Sequence, residues 1–405
     1  MGRTTALTRS PFLGFATFGA FWGAWGAAIP RVREVAGITD GELGLALLFV
    51  GAGALPAMLL AGRALDRWGL WMTGPLLVSL ALAGLVVAIT AGGGLLALCA
   101  GFALVGATSG AADVALNSLA GRAEQTAGRP VITPVHATFS AVVVVATLTT
   151  GALSGAGAPL LLPFALVLLA AAAACVAVVR GLGGPWRRAR EQPSPRASPR
   201  PVGAAPAASA GLSLALLTGI GALTAMGLAA ENAHQSWSAV YLEDELAAPA
   251  TLSALGPAVF AAVVAVTRVA VIRLDTRHAR TLVLAGAASA TTGAALLSLA
   301  PTLPTALAAL AVAAAGTAVL FPTLLGVVSR AVPEHRRARA TSTVTVVAYT
   351  GFIVGPAYVG LASDTFGLRG AMLAVAALTA ALAAFVPVVL RRQRAQDDTM
   401  SRGER

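Results

Sequence analysis

The sequence predicts an all-α membrane protein: twelve transmembrane helices in two pseudo-symmetric bundles of six. Three observations carry that reading. Apolar residues fall into about twelve stretches of roughly 20 residues between Phe12 and Leu390, and a helix of that length spans a hydrocarbon core of about 30 Å. Backbone polar groups find no water partner there, so helix is the form such stretches take outside a closed barrel. Hydrophobic residues make up 57% of the chain and charged residues 11%, against about 25% charged in soluble domains. The third observation is that the two halves of the chain repeat.

In chain order, the spans read from hydropathy are 12–30, 43–61, 70–90, 95–117, 132–154 and 159–180 in the first half. Those of the second half are 211–237, 252–272, 281–300, 303–328, 340–362 and 368–390. The first follows a basic start that imitates a signal peptide, but its apolar run reaches Pro30 and eleven more spans follow, so it reads as retained. Between spans six and seven lies PWRRAREQPSPRASPRPVGAAPAASA, rich in proline, alanine and arginine with little to bury, which reads as a flexible linker. The domain reading is therefore 1–183 for the first bundle, 184–210 for the linker, 211–390 for the second bundle and 391–405 for a tail.

The net charge of +11 invites a nucleic-acid reading, but the positions of the charges oppose it. All 28 basic residues are arginine, and 25 of them fall in the termini and even-numbered loops. Only Arg31, Arg33 and Arg369 fall on the other side. An excess of arginine marks cytoplasmic loops, which places both termini in the cytoplasm of a protein of the cell membrane. Cys99 and Cys175 lie inside apolar stretches and read as small packing residues. The four histidines are too scattered for a metal site, no cofactor is implied, and a chain without lysine cannot carry a nucleotide-binding P-loop. The partners implied are the bilayer and a small solute, with no nucleic acid.

The repeat is visible at three places. Trp25-Gly26-Ala27 returns as Trp237-Ser238-Ala239, and Leu43-Gly44 as Leu255-Gly256, both at an offset of 212. Leu65-Asp66 returns as Leu274-Asp275 at an offset of 209. Parallel repeats about an axis along the membrane normal are a transporter design with the binding site between the halves. The loop after span two, Gly62-Arg63-Ala64-Leu65-Asp66-Arg67-Trp68-Gly69, resembles the G-x-x-x-D-R-x-G signature of the major facilitator superfamily. The basic pair that usually follows is replaced by Leu70 and Trp71, and the second-half copy keeps only Asp275 and Arg277. Within that superfamily, Asp113–Asn117, His136–Ser140 and Ser236–Leu242 look closest to bacterial permeases related to the fucose–proton symporter. The resemblance covers Phe12 to Leu390 and implies a monomeric transporter working by alternating access. It also implies that Gly62, Asp66, Arg67 and Gly69, with Asp275 as a partial second copy, act in gating.

An ionisable residue inside a span costs at least about 2.5–3.5 kcal/mol on insertion scales, so it faces a partner or a wet cavity. Asp113 and Asn117 share one face of span four at i, i+4. Their depth matches that of His136 early in span five and of Arg268 late in span eight, so an Asp113–His136–Arg268 cluster is possible. Such a cluster reads either as a proton-coupling site or as a static polar contact. Desolvation holds a proton on a carboxylate and a nearby cation releases it, which is what coupling needs. Glu231, His234, Gln235 and Ser238 follow i, i+3, i+4, i+7 spacing and form a polar stripe facing either a substrate cavity or the outer interface. Trp22 and Trp25 read as stacking surfaces for a ring or as interfacial anchors.

The function these features imply is a secondary transporter moving a small solute by alternating access, coupled to protons. Two alternatives remain: an efflux antiporter of the same fold, and a membrane-embedded enzyme. The enzyme reading lacks clustered His, Asp or Cys chemistry, and span five lacks the Gly-Pro pair of drug–proton antiporters.

Overall fold

The computed structural model describes residues 2–183, 212–271, 278–332 and 334–403. The predicted linker and Asp275 lie outside the described residues. Every described element is helical: α1 (Gly2–Ala36), α2 (Asp40–Trp68), α3 (Thr73–Thr90), α4 (Gly94–Ala127), α5 (Ile132–Gly155) and α6 (Leu161–Leu182) before the linker. After it come α7 (Leu214–Leu246), α8 (Leu255–Val271), α9 (Ala279–Leu299), α10 (Leu303–Ala331) and α11 (Glu334–Gly403). Short helical turns, such as Ala250–Ser253 ahead of α8, join some of them.

Ten stretches among the described residues are long and apolar enough to cross a membrane. Two of them, Leu70–Ala127 and Arg339–Val389, are 58 and 51 residues long. Each is broken by a glycine in the left-handed region, Gly94 at φ +75° and Gly367 at φ +71°, which a residue with a Cβ adopts only under strain.

Helix ends overrun the hydropathy spans. α1 extends well beyond 12–30 at both ends, and α4 continues ten residues past Asn117. Hydropathy reports contact with lipid, whereas a helix ends where its backbone hydrogen bonds are intercepted. At α2 the interception is a capping box: the Thr39 hydroxyl accepts from the Glu42 N–H at 3.2 Å, and the Glu42 carboxylate accepts from the Thr39 N–H at 2.9 Å. Ser213 caps α7 through its hydroxyl alone, which accepts from the Leu216 N–H at 3.3 Å.

Packing runs mostly within each side of the linker. α1 packs on α5 and α6, α2 on α4, and α3 on α4 and α6. In the second part α7 packs on α11, α9 on α10 and α11, and α8 on α10. Contacts between the two parts are chiefly α2 on α11 and α5 on α8, with α1 touching α7. Helices come close where side chains vanish, since glycine and alanine let backbones meet. A Cβ built on Gly106 of α4 would run into the Val50 carbonyl of α2, and one on Gly53 into the Ala103 carbonyl. Gly106→Ala is therefore expected to cost about 1–3 kcal/mol by overpacking, read as a lower unfolding temperature of the purified protein in detergent. Large apolar side chains such as Leu59, Ile89, Leu96, Leu169, Leu299 and Phe366 point outward. A bilayer accepts such a surface where water does not.

Candidate transport cavity

The helices before and after the linker enclose a cavity of about 360 Å³. Asp113 of α4 lines it, and Asn117 follows one turn later. Asn117 Nδ2 donates to the Asp113 carboxylate at 3.0 Å and to the Asp113 carbonyl at 2.9 Å. Asn117 Oδ1 lies 3.3 Å from His136 Nε2, and the His136 ring packs on Phe15 at 4.7 Å between centroids. A polar chain Asp113–Asn117–His136 thus links α4 to α5.

Arg268 does not join that chain as its fourth member. It lines the same cavity, but its Nη2 donates to both oxygens of Glu231, at 2.9 and 3.0 Å, and its Nε to the Ala318 carbonyl at 3.3 Å. Arg268 lies near enough to His136 to interact with it electrostatically, but its hydrogen bonds go to Glu231 and not to Asp113. The physical reason is proximity: Glu231 on α7 and Arg268 on the adjoining α8 can reach each other within one side of the cavity. A half-buried guanidinium takes the charge-assisted partner within reach. The Glu231 side chain is 11% exposed and that of Arg268 44%.

The stripe on α7 also divides. Glu231 and Gln235 line the cavity together with Asn232 and Ser236, whereas His234 and Ser238 do not. At about 100° per residue, Glu231, Gln235, Asn232 and Ser236 occupy one sector, and His234 and Ser238 fall on its far flank. His234 is buried, stacks on Phe260 of α8 at 5.5 Å and places Nδ1 2.7 Å from the Ala230 carbonyl. Ser238 faces Gly256 of α8. His234 is therefore a packing residue in this conformation and not a cavity wall.

Trp22 and Trp25 both line the cavity. Trp25 is 5% exposed and packs edge-on to Phe102 at 4.8 Å, which removes the interfacial-anchor alternative for it in this conformation. Phe18 and Phe139 extend the same wall, 5.7 Å apart. Tyr349 and Phe352 line the cavity too, and sequence reasoning passed over them along with Asn232; Ser140 and Ser236, also in the wall, were named only within the resembling segments and not as site residues. For Asn232 and Ser236 a signal existed: both are polar within a membrane helix, one position beyond residues already in the stripe.

One end of the cavity is shut by contacts between the two parts. The Arg33 guanidinium bonds Asp40, and reaches Asp244 of α7 at 2.6 Å. Asp364 of α11 accepts from the Gly41 N–H at the start of α2 at 2.9 Å, and the Ser363 hydroxyl donates to Asp40 at 2.6 Å. Behind these, a Cβ on Gly44 would come 3.0 Å from the Gly360 Cα, so α2 and α11 touch backbone to backbone. Gly151 and Gly155 of α5 meet Ala254 and Thr251 just ahead of α8 in a matching seam. Arg33 and Arg369, two of the three arginines that break the loop charge bias, are both used at this end. Arg369 donates to Glu245 at 2.8 Å. Sequence reading missed this group because its cross-seam partners, Arg33 with Asp244 and Gly41 with Asp364, lie 211 and 323 residues apart.

The other end carries the Gly62–Gly69 segment at the end of α2. Asp66 and Arg67 are exposed there. Gly69 has φ +91° and its N–H donates to the Leu65 carbonyl at 2.7 Å, which is the turn that demands glycine. Asn117 and His136 are exposed at the same end, so the cavity opens toward the arginine-bearing loops.

Residues 239–404 match the family model described as Major Facilitator Superfamily. Over 401 residues the chain is 28% identical to the uncharacterized transporter y4wD of Sinorhizobium fredii, covering 96% of this chain and all of that one. The fold recurs in a solved bacterial homolog of the human lysosomal transporter Spinster in an inward-facing conformation, at TM-score 0.75 and 16% identity, covering 97% of this chain and 98% of that one. The nucleoside transporter NupG matches at TM-score 0.70 and 15% identity, covering 96% and 99%. A D-xylose–proton symporter matches at TM-score 0.67 and 12% identity, covering 95% and 97%. The family and these neighbours are transporters, not enzymes.

Proposed function

We propose that this chain is a major facilitator transporter, a secondary active carrier that moves a small solute by alternating access and couples it to protons. The observation that carries the proposal is the cavity itself. Asp113 stands on one side, the Glu231–Arg268 pair on the other, and one end is closed by contacts a rocking motion can break. The two long stretches, each split at a positive-φ glycine, count as two crossings apiece, which turns ten into twelve and supports two bundles of six. The bias of arginine to the open end supports cytoplasmic termini, with the closed end outside. A monomer supplies every residue of the cavity. The kinship with permeases related to the fucose–proton symporter rests on Asp113–Asn117, His136–Ser140 and Ser236–Leu242.

The walls define what fits. Phe18, Trp22 and Trp25 offer an apolar face, while Asn232, Gln235, Ser236 and the Glu231–Arg268 pair offer hydrogen bonds. A solute with one flat or apolar face and polar groups on the other satisfies both.

The test is electrometry on proteoliposomes at two pH values, with a panel of sugars, sugar acids, amines and drugs. A solute-dependent, pH-dependent charge movement that loads vesicles down the proton gradient supports symport. Loading against the gradient makes the chain an efflux antiporter instead, and an absence of solute flux in both electrometry and radiolabelled exchange removes the transporter reading. With the solute in hand, Glu231→Gln is expected to weaken its binding about tenfold, since the neutral amide replaces the charge-assisted partner of Arg268. Unchanged affinity in calorimetry would take Glu231 off the binding surface.

A further inference from the structure

Pro356 lies inside α11 and has no N–H, so the Phe352 carbonyl four residues earlier has no helical donor. A carbonyl left without a partner away from water is costly. Here the missing donor comes from another helix: Asn232 Nδ2 of α7 donates to the Phe352 carbonyl at 2.5 Å. The Oδ1 of the same amide accepts from Ser236 Oγ at 3.3 Å. One turn further, Trp237 Nε1 donates to the Pro356 carbonyl at 3.1 Å. Gly351 and Gly355 of α11 lie against the backbone of Ala225 and Ala229 of α7. The two helices are thus joined at the level of the proline, and the amide that completes the proline's broken ladder is itself a wall of the cavity.

Beyond Pro356, the same helix carries Gly360 against Gly44 and Asp364 on the Gly41 N–H, the contacts that shut the outer end. We infer that Asn232 is a positioning residue that couples the cavity to the outer closure, by holding the proline break of α11 in the geometry that keeps Asp364 on α2. A solute hydroxyl or amine that displaces the Ser236 hydroxyl from Asn232 Oδ1 turns the amide away from Phe352. The break then loosens, and the outer half of α11 is free to leave α2. Occupancy of the cavity thereby favours outer opening. This rests on the alternating-access reading above.

The test reads the outer opening directly and needs no solute. Ser140 lines the cavity on α5, away from α7 and α11, and Ser140→Cys in a Cys99→Ser/Cys175→Ser background gives a single reporter thiol. A membrane-impermeant maleimide added to intact cells reaches it only when the outer end opens. Asn232→Ala is expected to raise the labelling rate about fivefold, because the Phe352 carbonyl loses its donor. Pro356→Ala restores an N–H at the break, so adding Asn232→Ala to Pro356→Ala is expected to change labelling no further. Arg33→Ala, which breaks the outer closure directly, is the positive control, and each variant is checked for monodispersity after extraction. If Asn232→Ala has the same effect in both backgrounds, or none while Arg33→Ala labels, the coupling role is overturned and alternating access stands. If Arg33→Ala also stays unlabelled, alternating access through this closure falls, and the role of Asn232 falls with it.

Discussion

Replacing Asp113 with asparagine is expected to abolish proton-driven accumulation of solute while solute-for-solute exchange persists. Two carboxylates line the cavity, and their partners separate their roles. Glu231 is held by the Arg268 guanidinium, which makes it part of a fixed pair. The side-chain partner of Asp113 is the neutral amide of Asn117, and among the described residues no salt bridge reaches it. A carboxylate in a partly dry site with a neutral partner can gain or lose a proton as its surroundings change, whereas a paired one pays to lose its charge. Asparagine preserves the shape and the contact with Asn117 but cannot carry the proton. Uptake into proteoliposomes under an imposed pH gradient should then stop at equilibration. Counterflow of labelled solute should continue, because Asp113→Asn leaves the remaining walls in place. A mutant that still accumulates solute uphill would move coupling to another group.

The second large effect is expected at the outer closure. Arg33→Ala should shift the population toward the outward-open form by about 5- to 30-fold, the range that one or two kcal/mol produces. Arg33 stands between Asp40 of α2 and Asp244 of α7, with its side chain 18% exposed. Removing it takes away the attraction that crosses the seam and leaves two carboxylates facing each other. The cost is lower than that of a fully buried pair because Asp244 retains 35% exposure. Double electron–electron resonance between spin labels on the outer ends of the two halves reads the shift as a longer distance component. An unchanged distance distribution would take Arg33 out of the closure and, with it, alternating access through this end.

Much of this protein is legible in its sequence, and the boundary of what is legible has a physical cause. Segment length reports the solvent around each stretch, so the apolar helical segments could be read. Depth could be read too: Asp113, Asn117 and His136 do meet. Rotation about the helix axis could not, because it is set by packing. Arg268 was assigned by depth to Asp113, yet the turn of α8 that seats Gly256 on Ser238 leaves Arg268 beside Glu231. The same limit misplaced His234, whose spacing from Glu231 fits a shared face until Phe260 claims its ring. Pairings such as Arg33 with Asp244 were invisible for another reason. They join ends of the chain 211 residues apart, and local spacing carries no record of which ends meet.

The seam where Gly44 meets Gly360 bears on how binding data for this protein will look. Arg33 and Asp364 take no part in the cavity wall, yet in the proposed cycle they set the fraction of molecules open to each side. Apparent affinity is the intrinsic affinity scaled by that fraction. A substitution at Asp364 will therefore weaken binding titrated from the cytoplasmic side and strengthen it titrated from outside. A substitution in the cavity, such as Glu231→Gln, weakens both. Titration from both faces of an oriented vesicle thus sorts residues that hold the solute from residues that hold the door. A scan from one face alone would enter both kinds in the same column.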